Sequence, residues 1–144
     1  MSGTVNFYQL PALPLSVVES RRAICRVIAK AWQVLGRVDV LAASPELQKN
    51  YDDLLWTFHA GAFLPHGSTV QEPVYLFSDP QQRRPEARAL VLLEWPGELP
   101  AIADTVERLI DFIPAAEADR EAARKRYRQC KQAGYSIQMF PLEA

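Results

Sequence analysis

The stretch DREAARKRYRQCKQAGY (119–135) crowds Arg120, Arg124, Lys125, Arg126, Arg128 and Lys131 together, against Asp119 and Glu121 as nearby acids. Wound as a helix at about 100° per residue, it places Arg120, Arg124, Tyr127, Arg128 and Lys131 in one narrow stripe. Ala123, Cys130 and Ala133 form another side, small enough to pack closely on a sheet, with Arg126 intruding near it. Neighbouring like charges repel, and an acidic partner would relieve that repulsion. The chemistry available to such a stripe is anion docking, with Tyr127 as an apolar floor; the competing reading is a solvated helix face. Single-stranded or duplex nucleic acid could meet arginines and an aromatic in this way. A short stripe suits an acidic peptide better, above all one ending in a free carboxylate that arginine grips bidentately.

Other groups offer less. Neither G-x-x-x-x-G-K-[ST] nor G-x-G-x-x-G occurs, so the two common phosphate cradles are missing and no nucleotide cofactor is expected. His59 and His66 stand at opposite ends of a loop with no nearby Cys, so hydrogen bonding is expected of them rather than metal ligation. Asp52 and Asp53 are adjacent on a helix and point in different directions, as a solvated face would. Cys25 reads as a buried packing residue, whereas the cations around Cys130 would favour its thiolate; no base accompanies it. No catalytic residue and no metal site is expected. AFLPHG (62–67) is more telling: Phe63 and Leu64 ahead of Pro65, among turn residues, are not expected to be wholly interior, and exposed aromatics of this kind anchor protein interfaces.

The elements that must position these groups follow from periodicity. TVNFYQL (4–10) reads as a first strand. Ser16 with Glu19 is a capping-box signature, followed by Val17, Ile24, Ile28, Ala31 and Leu35 at helical spacing and Gly36 as a stop. RVDVLAA (37–43) is a second strand. Pro45 opens a helix carrying Leu47, Tyr51, Leu54 and Leu55, ending near Trp56. Residues 59–71 read as irregular. PVYLF (73–77) and ARALVLLEW (87–95) are strands flanking the polar turn SDPQQRRP, the second apolar enough to be buried on both faces. A helix is predicted around 99–112, with Ile102, Val106, Leu109 and Ile110 inward, interrupted by Pro114. The basic helix runs from about 116 to Gly134, before a last strand, YSIQMF. Strands alternating with helices predict an α/β fold: a single domain over 1–144, a three-layer sandwich with a mostly parallel sheet and Rossmann-like topology without a nucleotide-binding motif.

Composition bounds the rest. At 144 residues, 49% hydrophobic and 23% charged, the chain can bury a core without metal or disulfide support. Its formal net charge of −1 argues against bulk nucleic-acid binding, so any electrostatic function is local. No apolar run reaches the roughly 20 residues of a membrane span, and MSGTVNFYQL lacks the features of a secretory signal. Two cysteines make no disulfide framework and suit a reducing cytoplasm.

Four blocks, in order, carry a resemblance: FYQL, LLWTFHAGAFLPHG, VERLIDFIP and RKRYRQCKQAGYSI. Together they resemble the chi subunits of bacterial DNA polymerase III holoenzyme over nearly the full chain, least well in 68–90. The resemblance implies a non-catalytic clamp-loader accessory protein, cytoplasmic and associated with the replisome and nucleoid. Its partners would be the psi subunit and the acidic C-terminal tail of single-stranded DNA-binding protein, with nucleic acid met only indirectly and no membrane. The family's tail site falls on Arg120, Arg124, Tyr127 and Arg128, with Ile113 and Pro114 near its apolar pocket; Arg120 and Arg128 stand where well-known members carry lysines. The psi-binding surface falls on Phe63, with Leu64, Pro65 and His66 beside it. In some members a DNA-repair helicase uses the same surface. The alternatives are direct nucleic-acid binding or service as an adaptor for that helicase.

Overall fold

The computed structural model describes residues 3–11, 16–59, 63–101 and 106–142. In chain order, β1 (Thr4–Gln9), α1 (Val17–Leu35), β2 (Val38–Ala42), α2 (Pro45–Leu54), β3 (His66–Gly67), β4 (Val74–Phe77), β5 (Ala89–Leu93), β6 (Arg108–Ile113), α3 (Glu117–Gln132) and β7 (Ser136–Pro141) build the molecule. The strands form one seven-stranded sheet in the order β3-β4-β2-β5-β6-β1-β7, and every pairing is parallel. This is the α/β sandwich expected from the alternation of elements.

Local chemistry explains where the helices begin and end. Ser16 Oγ accepts a hydrogen bond from the Glu19 amide at 3.1 Å and so caps α1; Gly36, at φ 83°, ends it in a conformation that L side chains rarely adopt. Ser44 caps α2 in the same way, accepting from the Leu47 amide at 3.1 Å, with Pro45 in the first turn. α3 has no side-chain cap, but Glu117 and Asp119 in its first turn and Lys131 in its last complement the helix dipole.

The sheet separates two cores. On the first face Ile24, Ile28, Tyr51 and Leu55 of the α1–α2 layer meet Val40, Leu76 and Val91. On the second, Phe7, Phe77, Leu90 and Leu92 share a core with Cys130 of α3. β5 shows the pleat directly: Ala89, Val91 and Leu93 enter the first core, Leu90 and Leu92 the second. Its buried apolar run is thus the central strand anticipated from its composition.

The predicted helix around 99–112 is overturned. Residues 108–113 are β6, paired in parallel with both β1 and β5; Ile102 lies outside the described residues. Leu109 and Ile110 enter opposite cores, so both neighbours in sequence are apolar. A strand buried on both faces has no period-2 alternation, and its apolar run mimics helical spacing. The irregular stretch 59–71 also contributes the short edge strand β3.

Candidate functional site

α3 has two flanks with different tasks. Arg126 and Gln129 turn toward the β5–β6 connection. Arg126 Nε donates to Asp111 Oδ2 at 2.6 Å and Nη2 to Oδ1 at 3.3 Å, while Nη1 donates to the carbonyls of Trp95 at 2.7 Å and Gly97 at 2.9 Å. Both members of this pair are almost wholly buried, Arg126 at 2% and Asp111 at 1% exposure. Burial pushes the Asp111 carboxyl up, and the guanidinium opposes that push. The arginine that seemed to spoil the helix's amphipathicity is therefore the bolt that fixes α3 to β6. Gln129 adds a second tie, accepting from the Leu99 amide at 2.9 Å.

On the opposite flank, toward β1, lies the stripe of Arg120, Arg124, Tyr127, Arg128 and Lys131. Tyr127 is half-buried, its ring centroid 5.5 Å from that of Phe7 on β1, and Ile113 packs into the same second core. The stripe is less self-repelling than its sequence implies. Arg124 Nη1 reaches Glu117 at 2.8 Å and Glu121 at 3.5 Å, and Arg128 reaches Glu121 at 3.4 Å. Glu117 is the acid that the local count passed over; Arg124 holds its carboxyl below the usual range through a hydrogen bond. Such exposed pairs are screened by water and contribute little, so an incoming carboxylate can displace them easily. Arg120 differs: its Nε is buried without a hydrogen-bond partner, and among the described residues its side chain makes no ion pair. An under-satisfied arginine, two weakly paired ones and a flat apolar floor are what an anionic chain end requires.

Pro114 stands apart from this flank. It lines a 680 Å³ cleft at the carboxyl ends of the strands, whose α3 wall is Ala118, Asp119, Ala122 and Arg126. Ile113 and Tyr127 thus pack against the same core, whereas Pro114 faces another hollow. Cys130 is at 0% exposure and belongs to the second core, under the helix rather than on its cationic flank.

The second candidate surface divides inward and outward. Phe63 is 72% exposed, but Leu64, expected to be partly outside, is in the first core at 2%. His66 is buried too: Nδ1 lies 2.7 Å from the Leu64 carbonyl and Nε2 2.9 Å from that of Asp52. Both ring nitrogens are engaged, and no cluster of metal-ligating side chains exists among the described residues. Within this stretch Phe63 and the half-buried Pro65 are therefore what a partner can touch, and Leu64 and His66 hold them in place. Sequence reasoning missed Trp56, 57% exposed, whose ring lies 4.5 Å from that of His66. A tryptophan just past the last turn of α2, a few residues before Phe63, was the available signal. The turn SDPQQRRP also hid a structural arginine: Arg84 is 2% exposed, donates from Nε to Asp39 at 2.7 Å and ties down the carbonyls of Val38, Val70, Glu72 and Pro73.

No helix among the described residues is long and apolar enough to cross a membrane. The chain is 28% identical over 138 residues to the DNA polymerase III subunit chi of Pseudomonas aeruginosa, covering 93% of each chain. It is 26% identical over 140 residues to that of Haemophilus influenzae, covering 95% of this chain and 96% of the other. The Escherichia coli K12 subunit is 26% identical over 128 residues, covering 85% and 84%. The model of the family described as DNA polymerase III chi subunit, HolC, matches residues 2–138, and the chain belongs to that family.

Proposed function

We propose that the protein is a non-catalytic adaptor of the replication machinery, using the cationic flank of α3 to hold the acidic C-terminal tail of single-stranded DNA-binding protein. The observation that carries this reading is the row of Arg120, Arg124, Arg128 and Lys131 beside the half-buried Tyr127 on one flank of α3, with the Arg120 Nε buried and unpartnered. A terminal carboxylate meets the guanidiniums, and the apolar last residue lies on the floor. Steering by these charges speeds capture and makes it salt-sensitive. A net charge of −1 overall keeps the protein from competing for DNA itself. The outward surface of Phe63, Pro65 and Trp56 serves the second partner, psi or a DNA-repair helicase, and so connects the tail to the clamp loader or to repair.

The test is a titration of a labelled synthetic tail peptide followed by anisotropy, at low and raised salt. Arg128→Ala and Arg120→Ala should each weaken binding by about 1–3 kcal/mol, and raised salt should weaken the wild type more than either variant. Equal salt slopes, or no association at low ionic strength, would count against charge capture. Tight binding of labelled single-stranded DNA without its binding protein would favour the direct nucleic-acid reading instead.

A further inference from the structure

α1 packs over β2 and β5, and β7 is an edge strand, so a groove opens on the first face between the flank of α1 and strands β6, β1 and β7. It encloses 480 Å³ and lies across the sheet from the cationic flank of α3. At its base Asn6 is 6% exposed, and its Oδ1 has no hydrogen-bond partner. Beside it Arg108 has a buried Nε that is equally unpartnered, and its side chain makes no ion pair among the described residues. Lys30 stands exposed on the helical wall with no ion pair among those residues, and no Asp or Glu lines the groove. The rim is apolar: Val34 is 68% exposed, and Phe140, at 38%, stacks on Tyr8 with centroids 5.3 Å apart.

These needs are specific. Asn6 Oδ1 lacks an N–H, Arg108 and Lys30 lack carboxylates, and Val34 and Phe140 lack apolar cover. A buried carbonyl without a partner costs stability, and an apolar side chain of similar size would avoid that cost. Its retention beside unpaired cations points to something that completes it. We propose that this groove docks an acidic, extended peptide segment of a partner protein. Its main-chain N–H meets Asn6, its Asp or Glu carboxylates meet Arg108 and Lys30, and an apolar side chain covers Val34 and Phe140. A polynucleotide suits it less, because nucleic-acid binders present cations across a basic domain, whereas here they line one short groove of a protein with net charge −1.

The test uses the whole chain, ¹⁵N-labelled, titrated at low ionic strength with an N-acetylated, C-amidated peptide of sequence Asp-Glu-Leu-Asp-Glu-Phe. Its blocked end removes the terminal carboxylate that the α3 flank would grip, so this test and that of the tail site fail separately. Amide signals of Asn6, Lys30 and Phe140 should shift, and those of Arg124 and Tyr127 should stay. Lys30→Glu, at an exposed position, should weaken the interaction about tenfold with the melting temperature unchanged. Asn6→Leu should weaken it by a similar factor while melting at or above the wild-type temperature, a combination that a merely structural asparagine would not give. The proposal is overturned by shifts confined to α3, by no shift at all, by Lys30→Glu binding like wild type, or by oligothymidylate moving the groove signals where the peptide does not.

Discussion

Arg126→Ala tests whether the buried pair anchors α3. The substitution removes the hydrogen bonds to Asp111, Trp95 and Gly97 and leaves a carboxylate at 1% exposure without a counter-ion. Breaking a buried pair from one side costs about 3–5 kcal/mol. For 144 residues the unfolding entropy is about 0.3 kcal/mol/K, which turns that cost into a melting-temperature drop of roughly 10–16 °C. The loss should also depend on pH. Burial already pushes the Asp111 carboxyl up with Arg126 present, and without the guanidinium only the Phe112 amide, donating to Oδ1 at 2.8 Å, opposes that push. A carboxyl whose folded pKa lies above its unfolded one contributes stability below the unfolded value and loses it as pH rises through the folded value. The deficit relative to wild type should therefore be larger at about pH 8 than at about pH 5. Thermal melts by circular dichroism read both effects. The double variant Asp111→Leu/Arg126→Met buries neither charge and should recover most of the loss. A drop under about 3 °C, or a double variant no more stable than Arg126→Ala, would refute the anchoring role.

Phe63→Ala should leave the melting temperature nearly unchanged, because the side chain is 72% exposed, yet lower affinity for the second partner by about 2 kcal/mol or more in calorimetry. Glu117, held low by Arg124, should titrate below an ordinary glutamate by carbon NMR and move back up in Arg124→Ala; any stability it adds is present above its unfolded pKa and fades as pH falls through the folded one. Burial pushes the Cys25 thiol up to about 12, so a thiol reagent at neutral pH should label it only as fast as the protein unfolds. A Cβ on Gly3 would collide with the Glu107 carbonyl oxygen, a contact backbone must move to relieve; Gly3→Ala should cost about 1–3 kcal/mol in urea melts.

Sequence alone determined what local chemistry determines. Ser16, Ser44, Pro45 and Gly36 act through neighbours within a turn, so α1 and α2 were legible with their ends. The continuous apolar run of β5 announced a central strand, and the 100° arithmetic placed the α3 stripe on one flank. What depended on partners distant in the chain was decided only by folding. β6 looked helical because its two faces are filled by different cores, which no local period reveals. Arg126 read as an intrusion on the apolar side and Arg84 as part of a polar turn, because their partners, Asp111 and Asp39, lie 15 and 45 residues away. Leu64 and Phe63 are neighbours of similar hydrophobicity, yet one is in the core and the other in solvent, since only the path of the chain past α2 fixes which side points inward. Burial, unlike helix capping, is a property of the assembled sheet, and the sequence carries it only through contacts that folding has yet to make.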